Sequence, residues 1–305
     1  MEAIIRTHHL SKMYKGFQAV EDVSLKVNRG EIYGFIGLNG SGKTTTIRML
    51  LGMVKPTQGS CYINGKKVSL ENHDIWKKVG YMVETPYAYP ELTVRENLEI
   101  FRRLRAVTDK DAVEKVIGLL NLKLYTDKKA KNLSLGNAQR LGIAKALLHS
   151  PEILILDEPV NGLDPAGIIE VRKLLRELAE KKGITIFISS HLLSEVAKIA
   201  TKIGIIHEGR LMQEIKSNEL NQILNQRLLM GVDEKELVLS LLAQKGISSF
   251  INKEGFIETN NKRAVDHPEA VARFIIQNDF SLFHLTVEEE DLESYFLRVI
   301  GRKGG

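Results

Sequence analysis

The eight residues Gly37-Leu38-Asn39-Gly40-Ser41-Gly42-Lys43-Thr44 carry the most specific chemistry in the chain. Glycines at this spacing let a backbone wrap a run of phosphates closely, with several N–H groups turned inward at the start of a helix. In such a loop Lys43 reaches the β- and γ-phosphates and the Thr44 hydroxyl ligates Mg²⁺. Thr45 is placed to hydrogen-bond on the α-phosphate side. The pattern specifies a nucleoside triphosphate, and by itself it says nothing about what the triphosphate drives. A second group lies further along, where Ile153-Leu154-Ile155-Leu156 runs into Asp157-Glu158. An apolar strand ending in two carboxylates places them at the edge where α/β sheets bind ligands. There Asp157 would hold Mg²⁺ through water, and Glu158 would polarise an attacking water.

These residues need a scaffold, and the hydrophobic pattern supplies one. Residues 3–9 and 19–27 read as strands around a turn at Lys15-Gly16, and 31–37 is a short apolar run entering the glycine loop. After Gly42 the period becomes helical and stops at Gly52 and Pro56. Residues 59–63 and 66–70 form a hairpin about Asn64-Gly65, a pair that favours a type I′ turn. From 92 to 148 the period is helical, over 94–104, 109–120 and 135–149. The strands 153–157 and 185–189 flank an amphipathic helix at 165–181, which argues for a parallel sheet with right-handed crossovers. Strands 203–207 and 210–215 close this unit near residue 220.

Beyond that point the rhythm changes. Strand 227–232, helix 233–245, hairpin strands 247–252 and 256–259, helix 268–277, strand 281–287 and helix 288–300 follow in turn. The order βαββαβ is that of a ferredoxin-like unit. Thr286 and Glu289 read as a capping box for the last helix, so the acidic run 288–291 needs no metal to explain it.

Composition narrows the classes further. Hydrophobic residues make up 43% and charged residues 27%, the balance of a globular protein with a sizeable core. No apolar run approaches the roughly 20 residues that span a bilayer, and the N-terminal decapeptide lacks the order of a signal peptide. Cys61 is the one cysteine, so no disulfide forms within the chain, as suits a reducing cytosol. The net charge of +5 is spread among acids, with no basic stretch interleaved with aromatics, so nucleic acid is not the expected partner.

Along residues 1 to about 220 further motifs appear in order: Leu133-Ser134-Leu135-Gly136-Asn137-Ala138-Gln139-Arg140, then Asp157-Glu158, Asn161-Gly162-Leu163-Asp164 and Ser189-Ser190-His191. With the glycine loop before them, they resemble the signature motif, Walker B, D-loop and H-loop of the ABC ATPase family. Tyr14 matches the aromatic on which adenine stacks in that family. The resemblance implies ATP and Mg²⁺ as cofactors and an α/β fold. That fold is a P-loop ABC ATPase domain over 1–220, a mixed sheet core with antiparallel β and α-helical subdomains, the helical one at about 85–150. A small α+β domain, 221–305, would follow. It implies a head-to-tail homodimer in which each ATP lies between one P-loop and the other copy's signature. Ser134 and the Gly136 N–H would then face the γ-phosphate, and Asp164 would carry contacts between the two sites. His191 would hydrogen-bond the γ-phosphate and hold Glu158 and water in line, catalysis by positioning and electrostatics. The expected partner is a separate membrane permease, with the subunit peripheral on the cytoplasmic face of the membrane.

The chain departs from the family pattern where Glu84 replaces the usual glutamine that ligates Mg²⁺, and where Leu135 and Asn137 alter the signature. A carboxylate at 84 still offers oxygen to the metal. Glu84-Thr85-Pro86, the altered signature and Asn161-Gly162-Leu163-Asp164-Pro165-Ala166 together look like the bacitracin-type subgroup, whose members export peptide antibiotics and lantibiotics. Tyr87, Tyr89 and Phe101 are candidates for permease contact. Two other readings stay open: a non-transport ABC protein acting on nucleic acid or ribosomes, and a regulator that binds ATP without hydrolysing it.

Overall fold

The computed structural model of the chain describes residues 3–69, 71–84 and 87–301, apart from the side chain of Asn221. It divides into two compact units, Met1–Asn218 and Glu219–Gly305.

The first unit opens with β1 (Ala3–Tyr14), β2 (Phe17–Val23) and β3 (Lys26–Asn28). The sequence suggests one strand over 19–27, but the chain breaks it between β2 and β3. Asp22 takes a left-handed φ of +52°, and the Thr7 hydroxyl bridges the gap, donating to Val23 O and accepting from Leu25 N. Then come β4 (Ile32–Ile36), α1 (Lys43–Leu50), β5 (Gln58–Ile63) and β6 (Lys66–Lys67). The β5–β6 hairpin turns through Asn64 and Gly65 with φ of +50° and +74°, as a type I′ turn demands. Its second strand is shorter than the sequence suggests, and Leu70 lies outside the described residues. β1, β2, β3, β5 and β6 form an antiparallel sheet.

Next follow β7 (Val79–Met82), α2 (Val94–Leu104), α3 (Ala112–Leu119) and α4 (Leu135–Leu147). The unit then runs through β8 (Ile153–Asp157), α5 (Pro165–Lys182), β9 (Thr185–Ser190), α6 (Leu193–Ala197), β10 (Lys202–His207) and β11 (Arg210–Lys216). Six of these strands form a sheet in the order β11-β10-β4-β9-β8-β7, parallel except for the β10–β11 edge. Every residue of β4, β8 and β9 is buried, which explains their unbroken apolar runs. Between the two sheets sit Tyr33, Phe35 and Phe187, with Tyr33 and Phe187 stacked 5.4 Å apart.

Two features fix the site to this frame. α4 presses on β7 so closely that a Cβ at Gly80 would lie 2.1 Å from Ala146 O, so no other residue fits there without moving the helix. Asn97, fully buried in α2, accepts from Tyr89 N and donates to the carbonyls of Tyr89, Leu92 and Thr93. It thereby moulds the loop that leads into α2, whose start is closed by a Thr93–Glu96 capping box.

α7 (Ser217–Ile223) leads into β12 (Gln226–Val232), α8 (Lys235–Gln244), β13 (Phe250–Ile251) and β14 (Ile257–Thr259). After them come α9 (Lys262–Asp266), α10 (Pro268–Gln277), β15 (Leu282–Glu289) and α11 (Leu292–Val299). The sheet order β13-β14-β12-β15, antiparallel throughout, is the ferredoxin-like arrangement that the βαββαβ pattern suggests. Leu228, Met230 and Val232 meet Val238, Leu242 and Ile275 in its core. The end of the sheet corrects the sequence reading. Thr286 and Glu289 cap nothing, because β15 runs on to Glu289 in register with β12, and the cap of α11 is Asp291, which accepts from Ser294 N.

Candidate functional site

The glycine loop joins β4 to α1, and two of its glycines, Gly37 and Gly42, are there for space. A Cβ on Gly37 would lie 2.3 Å from Ser41 Oγ and 2.4 Å from Ile206 O, so any larger residue would fill the cradle. Gly42, the N-cap of α1, takes φ of +104°, and a Cβ there would meet Ala19 O of β2 at 2.6 Å. That contact ties the loop to the β1–β2 hairpin, on which Tyr14 pairs with Phe17. The Tyr14 ring is exposed, with the Lys12 ammonium 4.9 Å from its centroid.

The loop fits an anion. α1 has no side-chain cap and no acid in its first turn, so its leading N–H groups face the cradle unclaimed by side chains. The Ser41 hydroxyl is buried without a hydrogen-bond partner among the described residues, an orphan that a phosphate oxygen would satisfy. Lys43 is buried too, its Nζ donating to Gly37 O at 2.7 Å and Leu38 O at 3.2 Å. The same ammonium stands 3.4 Å from Glu158 Oε1. Lys43 is thus held by the loop's own carbonyls and by that carboxylate.

At the C-terminal end of β8 the two acids are gripped by different partners. Asp157 Oδ2 accepts from Thr44 Oγ1 at 2.9 Å, and Asp157 Oδ1 accepts from the Ser189 hydroxyl of β9. Thr44 and Asp157 therefore offer one hydroxyl and one carboxylate side by side, a hard oxygen pair suited to Mg²⁺, which takes few protein ligands beside phosphate and water. Glu158 has φ of +50°, unusual for a residue with a side chain. Its N–H donates to Ser189 Oγ at 3.1 Å and to Ser189 O at 3.2 Å, while its carbonyl accepts from Gln139 Nε2 at 2.8 Å. Its Oε2 lies 2.8 Å from His191 Nδ1 and accepts from His191 N at 3.3 Å. The Glu158 carboxyl thus spans from Lys43 to His191.

A separate cluster gathers the remaining predicted residues. Ser134 caps α4, accepting from Asn137 N at 3.3 Å, and Asp164 caps α5, accepting from Gly167 N at 3.1 Å. Gly136 packs on Leu163, and the exposed Leu135 side chain lies over Gly162, where a Cβ would stand 2.2 Å from it. The unusual leucine thus clamps the start of α4 to the turn before α5 and leaves the N–H groups of α4 in place. Among the described residues no hydrogen bond joins Ser134 or Gly136 to the glycine loop.

Glu84, a metal ligand in the sequence reading, follows β7. Its φ is +56°, and its Oε1 accepts from Arg48 Nη2 of α1 at 2.7 Å, so its carboxylate is held by a cation. Thr85 and Pro86 lie outside the described residues. Arg48 and Glu84 line one side of a groove of about 770 Å³ between α1, β7, α2 and α4. Tyr87 and Phe101 line it as well, while Tyr89 packs edge-on against Tyr87 at 5.7 Å. Lys145 of α4 also faces it; burial lowers its pKa to about 8. Ser189 and Gln139 lie in runs the sequence singles out but were given no role of their own, and Asn97 and Lys145 were missed. Asn97 matters through the loop just before it, and Lys145 through Tyr87 and Phe101, far away in sequence.

Residues 20–161 match the family described as "ABC transporter". The bacitracin transport ATP-binding protein BcrA of Bacillus licheniformis is 41% identical over 303 residues, covering 99% of this chain and 98% of the relative. The lantibiotic transport ATP-binding protein SrtF of Streptococcus pyogenes is 37% identical over 232 residues, covering 74% of this chain and 98% of that one. Among solved structures, a dimeric post-hydrolysis state of the ATP-binding cassette MJ0796 with ADP and Pi superposes with a TM-score of 0.65 at 26% identity. It covers 70% of this chain and 98% of the other.

Proposed function

We infer the working cycle from the premise that this chain belongs to the ABC transporter family of ATP-binding proteins. It is an ATPase, using ATP with Mg²⁺ and releasing ADP and phosphate, and it acts as a dimer with a membrane permease. The observation that carries the reading is the convergence of Lys43, Thr44, Asp157, Glu158 and His191 on one cradle. ATP enters with adenine against Tyr14 and its phosphates in the 37–45 loop, where Ser41 and the N–H groups of α1 satisfy them. Lys43 reaches the β- and γ-phosphates. Thr44 and, through water, Asp157 would hold Mg²⁺, which would supply neutralisation of phosphate charge. Glu158 accepts a hydrogen bond from the attacking water, and His191 keeps its carboxylate aimed. Such general-base positioning contributes about 10²–10⁴-fold.

Ser134, Gly136 and Asp164 form their own cluster, so the second half of each site comes from another copy. Two chains pack head to tail, with the α4 N-terminus of one against the γ-phosphate of the other. The groove beside α4, with Tyr87 and Phe101 in its wall, receives the permease on the cytoplasmic face of the membrane. The names of the two relatives support transport of a bacitracin-like or lantibiotic peptide, and the direction we propose is outward.

The test is phosphate release by the purified protein, together with its sedimentation in ATP and Mg²⁺. A Glu158→Gln variant should stop turnover and accumulate as a dimer. Wild-type hydrolysis in that variant would remove Glu158 from its role, and a strictly monomeric variant would refute the head-to-tail site.

A further inference from the structure

The turn that leads from Glu158 to Asp164 is gripped by α4 at two points. Gln139 donates from Nε2 to Glu158 O at 2.8 Å, and the same carbonyl accepts from Asn161 N at 3.1 Å. The next residue, Gly162, turns the chain with φ of +75°. Leu135 lies so close over it that a Cβ there would stand 2.2 Å from the leucine's Cδ2 and 2.6 Å from its Cγ. Leu135 and Gln139 are one helical turn apart on α4, so a single face of that helix makes both contacts. Asn161 and Gly162 are exposed, and Leu135 is itself 58% exposed. A leucine so open to solvent hides little apolar surface and adds little to stability. Its effect is local: it presses on a glycine, the residue with the greatest backbone freedom, three peptide units from the Glu158 carbonyl.

We propose that Leu135 is a positioning residue for hydrolysis, acting through Gly162 and Asn161 on Glu158 of its own chain. The path is short. Leu135 pins Gly162, the adjoining Asn161 N–H holds the Glu158 carbonyl, and the carboxyl of that residue stands against Lys43 and His191. Gln139 steadies the same carbonyl from the other side, so α4 and the Glu158 backbone keep one spacing. Only glycine at 162 leaves room for the leucine, which makes the two residues a matched pair. The inference rests on the reading of Glu158 as the group that orients the attacking water, and it adds what holds that group in place. A misplacement of about 1 Å at a reacting group lowers the rate by about 10²-fold, so a partial slackening should be visible in turnover.

Leu135→Ala in the full-length protein removes the pin and keeps the helix. In steady-state phosphate release its kcat should fall about tenfold with KM within about threefold, at an unchanged melting temperature, and Leu135→Met should recover most of the rate. The same substitution is then made in Glu158→Gln and followed by single-turnover hydrolysis. There it should lower the residual rate no further, because the group it positions is gone. A further loss of about tenfold in that background would place the action of Leu135 elsewhere and overturn the inference. So would a kcat in Leu135→Ala within about twofold of the unmutated protein. Sedimentation of the double variant in ATP and Mg²⁺ separates another role. If the dimer that accumulates in Glu158→Gln disappears on adding Leu135→Ala, the leucine is a contact between copies and the inference fails, while Glu158 keeps its role. Undiminished hydrolysis in Glu158→Gln alone would instead remove both the reading of Glu158 and the inference built on it.

Discussion

Ser189→Ala is the sharpest test of how the catalytic acids are held. The hydroxyl is fully buried, donates to Asp157 Oδ1 and accepts from Glu158 N at 3.1 Å. Removing it takes a charge-assisted hydrogen bond from Asp157, an interaction of about 1.5–3 kcal/mol. Glu158 N keeps its contact to Ser189 O at 3.2 Å, so the backbone stays paired while the carboxylate side of the site loosens. If that loss is felt in the transition state, kcat falls by about 10–150-fold. Among the described residues Ser41 and Lys43 make no hydrogen bond with Ser189, so ATP affinity should change by less than about threefold. The assay is steady-state phosphate release at saturating ATP, with nucleotide affinity measured separately by a fluorescent analogue. A kcat within about twofold of the unmutated protein, in a variant of equal thermal stability, would show that Ser189 does not position the acids.

Other expectations follow from the same contacts. Glu158→Gln should lower hydrolysis by about 10²–10⁴-fold while ATP binding, followed by equilibrium dialysis, is retained. Lys43→Ala should instead weaken ATP binding at least tenfold in the same measurement, because the buried ammonium is the cradle's own counter-charge. Asn97→Ala leaves Tyr89 N and three carbonyls without their side-chain partner and should lower the melting temperature by about 4–10 °C in calorimetry. Lys145 has a folded pKa of about 8 against an ordinary 10.5, so the folded protein sheds this proton first. Stability should therefore rise as pH goes from about 8 to 10.5, and urea midpoints of Lys145→Met should lack that increment.

Much of this was legible in the sequence because the chemistry sits in contiguous runs. The spacing of Gly37, Gly40, Gly42 and Lys43 specifies a loop whatever the tertiary context, and four apolar residues before Asp157 specify a strand end. The Asn64-Gly65 turn was equally local. What the sequence hid depends on segments far apart. Glu84 keeps the oxygen atoms of a metal ligand, yet Arg48, 36 residues earlier, claims one of them. Lys145 reads as one more basic residue on an amphipathic helix until Phe101 and Tyr87 are brought to it. Thr286 and Glu289 have the right types and spacing for a cap, and pairing with β12 overrode them, since ladder hydrogen bonds extend the strand past that point.

The left-handed backbone at Glu158 has an evolutionary consequence. Glycine or asparagine would occupy that conformation more comfortably, by about 1 kcal/mol, and neither can orient the water. Random substitution followed by selection for thermal endurance alone should therefore drift toward inert proteins at this position. Only a screen that also demands turnover would keep the glutamate, and the position would separate selection for folding from selection for work.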